Sequence, residues 1–121
     1  MKKLGIILIG VLLMSACTSE SSYHKISAQE AKEMMESQDV IIVDVRTQEE
    51  YNEGYIENAI LIPNESISEA PRELPDKDAI ILVYCRSGNR SKQAADKLVA
   101  LGYTNIYDFG GIIDWPYEIV E

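Results

Sequence analysis

The sequence predicts an α/β domain built on a mainly parallel sheet. Three observations predict it. Short apolar and β-branched runs alternate with segments of helical apolar spacing along the chain. Two capping boxes, Ser27 with Glu30 and Thr47 with Glu50, open helical segments beside such runs. At Val83-Tyr84-Cys85-Arg86-Ser87-Gly88-Asn89-Arg90-Ser91 an apolar run passes through a glycine-bearing loop into a further helical run.

Taken in order, residues 25–26 leave room only for a very short strand. Ser27 caps a helix striped by Ala31, Met34 and Met35, which is expected to end near Ser37. The methionines read as core filler. Residues 40–43 are continuously β-branched, as in a strand buried on both faces, and lead into Asp44-Val45-Arg46. Thr47 opens a short helical turn through Tyr51 and Asn52, which Gly54 breaks. Residues 59–62 form another short strand, stopped by Pro63. Residues 64–74 are weakly helical, interrupted by Pro71 and closed by Pro75. The solvated turn Asp76-Lys77-Asp78 leads into a strand over 79–84. Ala94, Ala95, Leu98, Val99 and Leu101 stripe a helix over 92–101, with Gly102 as the expected C-cap. Residues 104–107 are the last strand, Gly110-Gly111 a turn, and 112–115 a final helical turn before Pro116.

A chain of 121 residues with formal net charge −9 holds one modest domain. The acidic balance excludes nucleic acid as a partner, since phosphate neutralisation needs clustered Lys and Arg. It also sets apart the two arginines of the Cys85 loop. Met1-Lys2-Lys3 is a basic n-region, and residues 4–14 form an apolar run too short to span a bilayer comfortably. Leu13-Met14-Ser15-Ala16-Cys17 resembles a bacterial lipobox, with Met14 where Leu is usual. The resemblance implies a lipoprotein signal peptide over 1–16 and a Cys17 that is acylated (palmitate among its lipids) and inserted in the bilayer. The domain is then membrane-anchored on the extracytoplasmic side, facing a periplasm or the cell surface. An ordinary cleaved secretory signal is the alternative. Loss of Lys2 and Lys3 takes the net charge to −11. Residues 17–24 read as the acylated N-terminus and a flexible tether, and 25–121 as the domain. His24, the single histidine, reads as a surface residue. A Cys17–Cys85 disulfide is the structural alternative for the two cysteines; with Cys17 lipidated, Cys85 is left as a lone thiol.

Cys85 is the candidate nucleophile. A strand end, an arginine-rich loop and a helix start meet there, and a helix N-terminus favours anions. A cysteine in that setting is expected as the thiolate, acting on an anionic substrate. Ligands in open parallel sheets sit at the carboxyl ends of strands, so Asp44-Val45-Arg46 and Cys85 could share one rim.

The segment Cys85-Arg86-Ser87-Gly88-Asn89-Arg90-Ser91 resembles the active-site loop of single-domain rhodaneses. Asp44-Val45-Arg46 with Glu50-Tyr51, Gly54-Tyr55-Ile56 and Ile60-Leu61-Ile62-Pro63 resembles an early motif of that family, and Gly110-Gly111 with Trp115 its C-terminal signature. The resemblance spans about residues 25–119. It implies a rhodanese-like fold, a five-stranded parallel sheet with helices on both faces. It also implies a thiosulfate sulfurtransferase, moving a sulfane sulfur through a persulfide on Cys85 to cyanide or a thiol, with no metal or organic cofactor. Arg86, Ser87, Gly88, Asn89, Arg90 and Ser91 match the loop that surrounds the sulfur. Asp44 and Arg46 match positions that support the structure. Tyr55 stands where the family often has His, and Asn58-Ala59 where it has Gly-Ala. Tyr117 replaces a small residue and is expected to alter the pocket rim.

Some assignments stay open. Arg90 either meets the substrate or turns inward to a buried carboxyl such as Asp44. Ser87 and Ser91 also read as loop and helix-cap residues, and Trp115 as a packing anchor. Cysteine phosphatases and arsenate reductases use a similar cradle, but with five residues between Cys and Arg; Cys85 and Arg90 are separated by four. The smaller loop favours sulfur over phosphate. A membrane-bound persulfide carrier without turnover is the third reading.

Overall fold

The computed structural model describes residues 21–121. The signal segment, Cys17 and most of the tether lie outside the described residues. Five strands form one sheet: β1 (Tyr23–Lys25), β2 (Ile41–Asp44), β3 (Ile60–Leu61), β4 (Ile81–Cys85) and β5 (Ile106–Gly111). Their spatial order is β1-β5-β4-β2-β3, and every pairing is parallel. The helices are α1 (Ala28–Ser37), α2 (Gln48–Glu53) and α3 (Asn89–Ala100).

The apolar pattern of β4 explains the layering. Its five residues are all buried, as expected for the middle strand of a parallel sheet. Successive side chains point to opposite faces. Ile81, Val83 and Cys85 therefore join Ala94, Ala95 and Leu98 of α3 in one core. Leu82 and Tyr84 join Ala31 of α1, Phe109 and Trp115 in the other. Ile81, Leu82 and Val83 are fully buried, and each such side chain stabilises the fold by about 1.5–3 kcal/mol relative to exposure. Helices thus cover both faces.

Both capping boxes form. Ser27 Oγ accepts from Glu30 N at 3.0 Å, and Thr47 Oγ1 accepts from Glu50 N at 3.2 Å. In each box the Glu side chain accepts from the capping residue's own N–H in return. Strand ends shift by one or two residues in several places, and four larger differences from the sequence expectation stand out. The edge strand begins at Tyr23, so Tyr23 and His24 belong to the sheet and not to the tether; His24 stacks on Tyr107 at 4.6 Å. Residues 64–74 hold only one 3-10 turn, Asn64–Ser66, because Pro71 and Pro75 leave no room for a helix. Helix α3 starts at Asn89, three residues early. Gly110-Gly111 is the end of β5 and not a turn: the register pairs Val83 with Asp108 but Cys85 with Gly111, so β5 carries one extra residue between them. The two steps from Val83 to Cys85 thus face the three from Asp108 to Gly111, and this bulge is accommodated by Gly110, whose φ is +88°.

Candidate active site

Strand β4 ends on Cys85, and the chain turns at once into α3. The turn is closed by Gly88, the helix N-cap, in the left-handed conformation (φ +105°). This brings the Gly88 N–H to 3.0 Å from Cys85 Sγ. The thiol is 1 % exposed and lies beneath the loop. Cys85 is the free cysteine among the described residues. Arg86, Ser87 and Asn89 are exposed around it, and the first turn of α3 directs its unpaired N–H groups to the same end.

Strand β5 holds the loop from the other side. The Arg86 carbonyl accepts from Ile113 N at 3.2 Å. Gly111 packs so closely under Arg86 and Ser87 that a Cβ there would overlap the Arg86 carbonyl and lie 2.6 Å from Ser87 Cα. Only glycine fits this approach.

The two arginines have different environments. Arg90 donates to both Glu50 oxygens, Nη1 to Oε1 at 2.7 Å and Nη2 to Oε2 at 3.0 Å. A bidentate pair of this kind is directional and charge-assisted. Of the two roles left open for Arg90, the inward pair forms, with Glu50 as the carboxyl and not Asp44. The Arg90 hydrogen bond lowers the Glu50 pKa to about 2, against an opposing effect of burial and with help from Thr47. The hydrogen bond to Glu50 raises that of Arg90 against an opposing effect of burial. Arg86 forms no ion pair among the described residues and projects into solvent.

The Glu50 pairing has a pH consequence. A carboxyl held at about 2 when folded, against an ordinary 4.5, stabilises the fold fully above 4.5. The contribution is lost as pH falls through 2. Melting temperatures measured between pH 5 and pH 2 are expected to fall less steeply in Glu50→Gln, from a lower starting value.

The Ser91 side chain differs from the helix-cap expectation. It is fully buried inside α3, where Oγ donates to Asp108 Oδ1 at 2.8 Å. Its side chain therefore braces the loop from beneath and does not cap the helix, whose N-cap is Gly88. Asp108 is itself fully buried and also accepts from Gly110 N at 3.0 Å and from Tyr23 Oη at 2.9 Å. Burial, and then this bond to Asp108, raise the Tyr23 pKa. Asp108 ties α3, the β5 bulge and the edge strand together under the loop. Sequence reasoning missed Asp108 and the pairing role of Glu50. The available signals were a lone acid at the apolar end of a strand, and a capping-box Glu with an oxygen to spare.

Asp44 and Arg46 form a separate buried cluster. Arg46 Nη2 lies 2.7 Å from Asp44 Oδ2, and its Nε contacts both oxygens at 3.0 and 3.1 Å. The same Nη2 also donates to the Gly54 carbonyl at 2.6 Å. Tyr84 Oη donates to Asp44 Oδ2 at 2.7 Å and accepts from Ile56 N at 3.0 Å. Burial works against the Arg46 charge, but Asp44 outweighs it and raises the Arg46 pKa. Burial, and then Asp44, push the Tyr84 hydroxyl up. The cluster pins residues 54–56 to the sheet.

The departures at 55 and 58 fall on backbone and packing roles. Tyr55 stacks on Tyr51 at 4.2 Å and bridges to Val120. Asn58 has φ +72°, which Asn tolerates better than other residues with a side chain. Trp115 is a packing anchor against Phe109 at 5.3 Å. Tyr117 sits on the α1 face, away from the rim of the Cys85 loop.

Comparison with known proteins shows the family. The model of the family described as "Rhodanese-like domain" matches residues 27–116. Over 94 residues the chain is 37% identical to a thiosulfate sulfurtransferase GlpE of Coxiella burnetii, covering 77% of this chain and 87% of that one. It is also 33% identical over 107 residues to a tRNA uridine(34) hydroxylase of Yersinia pestis, covering 81% of this chain but 29% of the hydroxylase. The crystal structure of a rhodanese-related protein from Thermoplasma volcanium superposes with a TM-score of 0.70 at 32% identity, covering 81% of this chain and 98% of that one. By its matched sequence, its five-stranded parallel sheet and its sulfurtransferase relatives, the chain belongs to the rhodanese-like family.

Proposed function

We propose that the protein transfers a sulfane sulfur from thiosulfate, or a similar anionic donor, to a thiol or cyanide through a persulfide on Cys85. The observation that carries this reading is the Gly88 N–H at 3.0 Å from Cys85 Sγ, inside a loop of two arginines at the start of α3. In the first step the Cys85 thiolate attacks the outer sulfur of thiosulfate. The new S–S bond forms as the old one breaks, and sulfite leaves with the electron pair. In the second step the acceptor attacks the outer persulfide sulfur and releases Cys85 as thiolate. Loop N–H groups stabilise the anionic sulfur between the steps, and the cycle is ping-pong. The burial of Sγ suits a donor that offers one sulfur at its tip, and does not suit a phosphate ester.

Arg86 is assigned to the donor's sulfonate oxygens, since Arg90 is committed to Glu50. Arg86→Ala is expected to raise the thiosulfate KM about tenfold, the loss of one charge-assisted contact, with a smaller change in kcat. Steady-state formation of thiocyanate from thiosulfate and cyanide tests both the reading and the assignment. Parallel double-reciprocal lines support the two-step cycle. Hydrolysis of a phosphate ester without thiocyanate formation would overturn it.

The lipobox-like segment supports a second part of the proposal: the domain acts on the extracytoplasmic side of a membrane, anchored by acylated Cys17. Intact-mass measurement of the mature N-terminus tests this. Any N-terminus other than a lipid-modified Cys17 would refute the anchor.

A further inference from the structure

Two carboxyl groups are fully buried among the described residues, those of Asp44 and Asp108. Asp44 has a cation beside it, Arg46. No cation lies within ion-pair reach of Asp108 among the described residues. Its oxygens are met instead by neutral donors, Ser91 Oγ, Gly110 N and Tyr23 Oη. Burying a carboxyl in this way costs stability, and apolar groups of the same shape commonly serve a core as well. Stability alone therefore does not account for an acid at this position.

Its place beneath the Cys85 loop does. Oδ1 takes two of the three bonds, from Ser91 Oγ at 2.8 Å and from Gly110 N at 3.0 Å. Both donors seat Gly88, whose N–H lies 3.0 Å from Cys85 Sγ. Ser91 Oγ is 3.1 Å from the Gly88 carbonyl. Gly110 packs against Gly88, where an added Cβ would sit 3.7 Å from Gly110 Cα. A hydroxyl has one proton to give. The carboxyl at 2.8 Å takes it ahead of the carbonyls of Gly88 at 3.1 Å and Gly110 at 3.4 Å. Without the carboxyl, the hydroxyl turns to one of those carbonyls and the Gly110 N–H loses this acceptor. Both contacts that seat Gly88 then change together. On the far side, Oδ2 accepts from Tyr23 of β1, which fixes the plane of the carboxyl. Tyr23 lies outside residues 27–116, which the family model matches.

We propose that Asp108 is a positioning residue for sulfur transfer: its Oδ1 fixes the two residues that seat Gly88, and so holds the Gly88 N–H on the Cys85 sulfur. Asp108 acts through Gly88 and not on the sulfur itself. The inference rests on the persulfide cycle proposed above.

The test is single-turnover uptake of sulfur from thiosulfate, followed by intact mass over a range of thiosulfate concentrations, with a urea midpoint for each variant. Asp108→Ala removes both acceptor oxygens. Its maximal uptake rate is expected to fall about 100-fold, the effect of a misplacement of about an ångström. The half-saturating thiosulfate concentration is expected to stay within about twofold of the parent, because Arg86 is undisturbed. Asp108→Asn keeps an oxygen for Ser91 and Gly110, and is expected to recover the rate to within about fivefold of the parent. Ser91→Ala and Tyr23→Phe each remove one contact, with expected losses of about tenfold and about threefold, and they decide the matter if Asp108→Ala does not fold. Parent-like uptake in folded Asp108→Ala, or in Ser91→Ala, overturns the proposal even if the urea midpoint falls, and leaves sulfur transfer standing. So does an Asp108→Asn as slow as Asp108→Ala, or a loss seen only as a higher half-saturating concentration. If the parent protein itself takes up no sulfur from any sulfane donor, the sulfur-transfer reading fails, and this proposal fails with it.

Discussion

Asp44→Ala is expected to lower the free energy of unfolding by about 3–5 kcal/mol, the cost of leaving a buried charge without its partner. Asp44 is fully buried, and the Arg46 side chain beside it is 7% exposed. Without the carboxyl, the Arg46 guanidinium keeps only the Gly54 carbonyl, and Tyr84 Oη loses its acceptor. Urea denaturation measures the loss. Tyr84→Phe is expected to cost less, about 1–2 kcal/mol, because it removes one hydrogen bond and leaves the ion pair in place. If Asp44→Ala stays within 1 kcal/mol of the parent, the cluster does not hold residues 54–56 as described.

The second large effect is expected from Gly111→Ala. The added methyl group occupies space now filled by the Arg86 carbonyl and Ser87 Cα. Backbone cannot yield as a flexible side chain can, so the loop must move away from β5 by about an ångström. A misplacement of that size costs on the order of 100-fold in rate. Sulfur transfer is therefore expected to fall far more than stability, and comparison of kcat/KM with the urea midpoint separates the two. Parent-like turnover in Gly111→Ala would show that the loop position is not critical.

Much of the fold was legible because its signals are local. Ser27 with Glu30 and Thr47 with Glu50 mark helix starts by reciprocal hydrogen bonds within four residues. The run of residues 40–43 marks a strand buried on both faces by composition alone. The errors arise where tertiary contacts decide. Tyr23 is polar enough to read as tether, yet its hydroxyl finds buried Asp108 from 85 residues away. The adjacent glycines at 110 and 111 carry a turn's composition, but serve a bulge and a close approach. Ser91 looked like a loop residue because its buried acceptor, Asp108, cannot be seen from local sequence.

The site was legible in part. The Cys85 loop stands out through its scarce positive charge and its glycine. The division of labour between Arg86 and Arg90 does not, since it depends on Glu50 reaching across from α2. A capping box read only as a helix signal hides the fact that the same carboxyl fixes one wall of the Cys85 loop.

The persulfide on Cys85 is the central claim, and intact-protein mass spectrometry after thiosulfate treatment tests it most directly. The account predicts a species heavier by one sulfur atom. Cyanide is expected to remove it, and Cys85→Ser is expected never to form it. Failure of the parent protein to take up sulfur from any sulfane donor, or an equal adduct in Cys85→Ser, would contradict the account.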